Sequence, residues 1–130
     1  MEDFKEIQKV DDTYLQPRKR PTEAELRLFL REVNYHCPIC SKELQSRQQK
    51  KLDEKKFQIA HIYPNKPTSE QYNMLSEFER LGENSESFEN KIALCRDCHG
   101  TQDFRTEAKE YEKLLNIKKN CLKQTVLHDV

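Results

Sequence analysis

Tryptophan does not occur in this 130-residue chain, and apolar residues are scarce. Only 35% of positions are A, V, I, L, M, F, W, Y or C, no more than the share that is charged. So thin a core usually needs a metal or a disulfide to hold a domain together. No apolar run approaches the roughly 20 residues of a membrane span. The opening residues, Met1-Glu2-Asp3-Phe4-Lys5, contain no apolar signal-peptide core. No membrane association and a cytoplasmic, reducing setting are therefore expected, where paired cysteines hold metal more often than they form disulfides. Net charge is also absent, with 23 Lys and Arg against 23 Asp and Glu. Proteins held on nucleic acid by bulk charge are basic, so any such contact here must come from a local patch or through a partner. Internal repeats are missing, and the length sets one domain as the prior.

Four of the five cysteines fall into two Cys-x-x-Cys pairs, Cys37-Pro38-Ile39-Cys40 and Cys95-Arg96-Asp97-Cys98. Zinc prefers four tetrahedral ligands, and a closed set of four thiolates is structural rather than catalytic. Structural Zn2+ on Cys37, Cys40, Cys95 and Cys98 is expected. The pairs lie farther apart than in a compact zinc ribbon, so spacing alone does not join them. An iron–sulfur cluster and two unrelated pairs are the competing readings. Cys121 is left over as a buried or free thiol.

Along the chain, residues 1–20 read as an arm of mixed charge ending in Arg18-Lys19-Arg20. That basic cluster is either a solvated linker or a phosphate-contacting arm. A helix is expected from Thr22, with Glu25 as capping-box partner and Leu26, Phe29, Leu30 and Val33 on one face. Asn34-Tyr35-His36 ends it. Residues 41–56 read as a solvated loop or short helix with a second basic cluster, Lys50, Lys51, Lys55 and Lys56. Phe57-Gln58-Ile59-Ala60-His61-Ile62 reads as a strand with Phe57, Ile59 and His61 on one face. A second helix is expected from Thr68 to near Gly82, with Tyr72, Leu75, Phe78, Glu79 and Leu81 giving a mostly apolar face. Residues 83–89 make an acidic loop, a poor DNA surface. Lys91-Ile92-Ala93-Leu94 is a short strand. A helix then starts around Cys98 and runs on towards Leu122, with Ala108, Tyr111, Leu114, Leu115 and Lys118 at helical spacing. The end, Val126-Leu127-His128-Asp129-Val130, is apolar and suited to packing on the core or on a partner.

His61 alone reads as a satisfied structural histidine, and His99 alone as a bystander of the cysteines. Their combination reads differently. A strand bears a histidine, an asparagine (Asn90) precedes a second strand, and His99 and Asp103 stand four apart at the start of a helix. Residues four apart share a helix face, so imidazole and carboxylate can share a second cation. Two protein ligands leave positions open for water and substrate.

At these residues the chain resembles the HNH endonuclease family, over about residues 37–103. His61 matches the first motif histidine, Asn90 the asparagine and His99 the final histidine. The cysteine pairs match the structural zinc site of one subset of that family. Ala60-His61-Ile62-Tyr63-Pro64 and Asn90-Lys91-Ile92-Ala93-Leu94-Cys95 look like HNH proteins of bacterial conflict and antiphage defence systems, including those paired with ABC-type ATPases.

The resemblance implies an α+β fold, a small zinc-stapled domain with a ββα-metal core and flanking helices. It divides the chain into an arm at 1–20, a nuclease domain at 21–120 and a tail at 121–130. It implies a metal-dependent endonuclease acting on DNA, ahead of RNA. His61 would be the general base, Asn90 the brace of the loop behind it, and His99 with Asp103 the holder of a catalytic divalent cation such as Mg2+ or Mn2+. An ABC-type ATPase or a second copy of the chain would be the partner. Many family members carry Asp, Glu or His just before the first histidine; here that residue is Ala60. The alternative is a zinc-stapled nucleic-acid- or protein-binding module with an inactive HNH site.

Overall fold

A computed structural model describes residues 12–46, 51–104 and 108–129, without side chains over 101–107 and from 125 onward. Arm residues 1–11, Lys50 and the apolar side chains of the last five residues therefore lie outside the described residues. Among the described residues, no helix is long and apolar enough to cross a membrane.

Helix α1 (Glu23–Glu32) forms where expected, because Thr22 and Glu25 close a capping box over its free N–H groups. Leu26, Phe29, Leu30 and Val33 are buried on its inner face. The chain leaves α1 through Asn34 and Tyr35, both in the left-handed region (φ 56° and 64°). It then makes an isolated bridge between His36 and Glu43 around the first cysteine pair. The following stretch is less solvated than expected, since Leu44 and Gln45 are buried. The Gln45 side chain accepts the Asp53 N–H at 2.9 Å.

Strand β1 (Phe57–His61) pairs antiparallel with β2 (Lys91–Cys95), placing Phe57 opposite Cys95 and His61 opposite Lys91. The ladder continues past the strand end through Ile62 N–H to Asn90 O at 2.7 Å. Helix α3 (Arg96–Phe104) begins directly after β2, two residues before the expected start, and packs on both strands. Beyond residues 105–107, helix α4 (Ala108–Asp129) extends past the expected end near Leu122. The result is a small α+β arrangement, a two-stranded hairpin with helices around it.

The helix expected from Thr68 to near Gly82 is much shorter. Its capping box with Gln71 is present, but α2 (Ser69–Met74) stops after six residues. The apolar face beyond it reaches the core as irregular chain. Leu75 is buried, and Phe78 meets Tyr111 edge-on at 5.6 Å. Two backbone carbonyls there are held by phenols: Tyr111 donates to Glu79 O, and Tyr14 donates to Leu81 O at 2.6 Å. Gly82 (φ 76°) caps no helix. A Cβ there would lie 2.5 Å from Ser87 Cβ, so glycine is needed to close the 82–87 turn.

Lys118, expected on the inner face of the long helix, is fully buried. Its ammonium meets Glu32 Oε2 at 2.5 Å and lies 3.9 Å from the Phe88 ring centroid. Phe88 in turn stacks on Phe29 at 4.5 Å. Burial lowers the Lys118 pKa against the pull of Glu32, and burial raises that of Glu32. Lys118→Met is expected to cost about 3–5 kcal/mol, because it strands a buried carboxylate, and Glu32→Gln in the same chain should recover most of that. Urea unfolding midpoints check this. Equal losses in the single and double variants would refute it.

Candidate metal centre and adjoining cleft

The two cysteine pairs meet. Cys37, Cys40, Cys95 and Cys98 each offer a sulfur, and all four sulfurs lie within 4.8 Å of one another. The first pair sits on a tight turn in which Cys37 N–H donates to Lys42 O and Ser41 N–H to Cys37 O, both at 2.8 Å. Ser41 adopts φ 67° to close it. The second pair spans the junction of β2 and α3, where Cys98 N–H donates to Cys95 Sγ at 3.4 Å. Cys40 and Cys95 sulfurs stand 3.6 Å apart. A disulfide needs about 2.05 Å. A tetrahedron with zinc–sulfur bonds near 2.3 Å puts its sulfurs about 3.8 Å apart.

The thiols are shifted by burial, by one another and by the backbone around them. Burial raises the Cys37 thiol, but backbone hydrogen bonds from Cys95, Cys40 and Ile39 overcome it and bring it down to about 7. Burial and the other three thiols push Cys98 far up. Four thiolates this close are stable together only around a cation. The cluster is consistent with a structural zinc. Cys121 lies outside it, half-buried, its thiol raised by burial to about 11.

A cleft of about 390 Å³ opens against the hairpin. Phe57, Ile59 and His61 line it from one face of β1, and Lys91 lies opposite His61. His99, in the first turn of α3, lines the same cleft. The structure therefore brings together His61 and His99. Asp103 lies one turn further along α3, and its side chain is outside the described residues.

Asn90 does not face the cleft. It is fully buried behind it and holds the chain after β1 in place. Its Oδ1 accepts Tyr63 N–H at 2.8 Å, and its Nδ2 donates to Tyr63 O and Ser85 O at 2.9 Å each. Every polar atom of the amide is used in joining β1, β2 and the 82–90 loop. This is a brace of the loop behind His61.

His61 is 9% exposed. Its Nε2 lies 2.8 Å from Glu86 Oε2. Burial would raise Glu86, but Lys19 N–H at 2.7 Å, His61 and Lys91 (3.2 Å) outweigh it and keep the carboxyl below its ordinary range. An ionised Glu86 only accepts, so Nε2 carries the proton and Nδ1 is the basic nitrogen of the neutral ring. Burial lowers the His61 pKa below 6.5, and Glu86 opposes this without reversing it.

Glu86 escapes a reading of the sequence. It sits 25 residues from His61 in a loop with other acidic residues, and no spacing marks it. Far from being only a polar surface loop, 82–90 supplies the carboxylate that meets the histidine. Lys91 did carry a signal: a lysine opening an otherwise apolar strand needs a buried partner. The Arg18-Lys19-Arg20 cluster lies on the cleft, on an arm tied down by Ser85 N–H to Tyr14 O at 2.6 Å and Gln16 N–H to Ser85 Oγ at 2.9 Å.

Compared with protein-family models, with curated proteins and with solved structures, the chain finds no match.

Proposed function

We propose that this chain is a metal-dependent endonuclease domain of the HNH type, which hydrolyses DNA phosphodiesters in the cleft with His61 as general base. The observation that carries the reading is the convergence of His61 and His99 on one cleft, with Asn90 bracing the hairpin behind them. A loop-braced histidine on one strand and a second histidine on the following helix are what the chemistry needs.

The neutral His61 ring takes a proton at Nδ1 from the water that attacks phosphorus. Glu86 holds the ring by Nε2–H and stabilises the imidazolium that results. Asn90 keeps the chain after His61 from shifting. His99 and Asp103 would hold the divalent ion, Mg2+ or Mn2+. That ion, when bound, supplies positive charge to the phosphate oxygens and the leaving oxygen. The zero net charge of the chain favours help in holding DNA from a second copy or from a partner such as an ABC-type ATPase, as in a prokaryotic defence system.

Supercoiled plasmid should be nicked by zinc-loaded protein only when Mg2+ or Mn2+ is added. Because His61 must be neutral and burial lowers its pKa, the rate should be level around pH 7 and fall only as the pH drops below 6.5. A rate that still climbs well above neutral pH would remove His61 from the role of base. A second reading, a zinc-stapled binding module with an inactive HNH site, is favoured by Ala60. That residue is fully buried and puts no ligand atom beside His61. DNA binding without cleavage under any ion would establish it.

A further inference from the structure

The cleft carries more positive charge than a chain of zero net charge predicts, and the charge is held in place. Among the residues lining it, Arg18, Lys19, Arg20 and Lys91 face one carboxylate, Glu54. Lys91 is matched by buried Glu86 at 3.2 Å. Arg20 reaches Glu54 only at 3.9 Å, with both side chains exposed, an ion pair worth little. Among the described residues, no carboxylate lies within 4.0 Å of the charged side-chain nitrogens of Arg18 or Lys19, although Lys19 acts on the Glu25 carboxylate from farther away.

The backbone under these cations is clamped from both sides. Lys19 N–H donates to Glu86 Oε1 at 2.7 Å, and Lys91 Nζ donates to Lys19 O at 3.1 Å. Glu86 also holds His61, so one buried carboxylate sets both the arm and the histidine. A solvated linker would need no buried ion pair beneath it. We infer that Arg18 and Arg20 form a phosphate-binding subsite for the backbone of a DNA strand, fixed by the Glu86–Lys91 clamp beside His61. Such contacts go to phosphates, so they position the strand without reading its sequence.

This subsite rests on the nuclease reading of the cleft, and its test separates the two. Fluorescence anisotropy of a labelled DNA duplex of roughly 20 base pairs, without added divalent ion, reads binding alone. Arg18→Gln/Arg20→Gln protein of unchanged zinc content and circular dichroism should bind on the order of tenfold more weakly at low salt. The slope of log affinity against log salt should fall by about 2, one per lost contact. Lys113→Gln/Lys123→Gln, with the same charge removed from exposed positions of α4, should bind like the unaltered chain. Equal losses in the two double variants, an unchanged slope in the arginine variant, or no duplex binding by the unaltered chain would each overturn the subsite. Binding that depends on the arginines in a chain that never cleaves DNA would overturn the nuclease reading alone.

Discussion

Cys98→Ala protein should lose its cooperative unfolding transition and its bound zinc together. Cys98 stands in the first turn of α3, Cys95 ends β2, and Cys37 and Cys40 sit on the turn after α1. The cluster therefore joins parts of the chain whose cysteines Cys40 and Cys95 are 55 residues apart. Binding zinc to four thiolates can contribute on the order of 10 kcal/mol to folding. The whole stability of a domain is about 5–15 kcal/mol. The pairing between the two strands is only five residues long on each side, and a two-stranded sheet of that size is marginal in water without further support. Chelator treatment of the unaltered chain should reproduce the effect. Cys121→Ala, outside the cluster, should keep its zinc and lose about 1 kcal/mol or less. Folded Cys98→Ala protein without metal would show that the cluster is not a staple.

His61→Ala should slow DNA cleavage by about 10²–10⁴-fold, the range for losing a positioned general base, with the fold and zinc content unchanged. Glu86 acts through His61, so it is a positioning residue and its variants need their own readout. In the intact chain the nitrogen chemical shifts of the His61 ring should report the Nε2–H tautomer, since Glu86 Oε2 accepts from Nε2 at 2.8 Å. Glu86→Ala should give a mixture of tautomers and a slower rate constant, and, because the same carboxylate holds the Lys19 N–H, a higher substrate concentration at half-maximal rate as well. Glu86→Gln retains an acceptor oxygen and should recover part of the tautomer preference. Its failure to do so, with the ring unchanged in Glu86→Ala, would mean the contact does not orient the histidine.

The elements that local rules govern were legible. Thr22 with Glu25 and Thr68 with Gln71 start their helices as their side chains dictate. Phe57, Ile59 and His61, which alternation puts on one face of β1, all line the cleft, as does Gln58. The cysteine cluster was legible because ligand spacing is short-range, although only the fold brings the two pairs together. What spacing cannot convey is a contact between distant polar groups. Nothing in the spacing marks the early end of α2, nor the phenol hydroxyls of Tyr14 and Tyr111 that hold the Leu81 and Glu79 carbonyls beyond it. Glu86 is one acid among several in its loop until the chain folds and buries it against His61. Lys118 fits the apolar spacing of α4 only because Glu32 waits for it across the core.

The most direct test is the nicking of supercoiled plasmid by zinc-loaded unaltered chain and by His61→Ala protein of matched zinc content, each with and without added Mg2+ or Mn2+. Nicking by the unaltered chain should require the added ion and disappear in the variant. Nicking that persists in His61→Ala, or no nicking with any ion, would contradict the proposed mechanism.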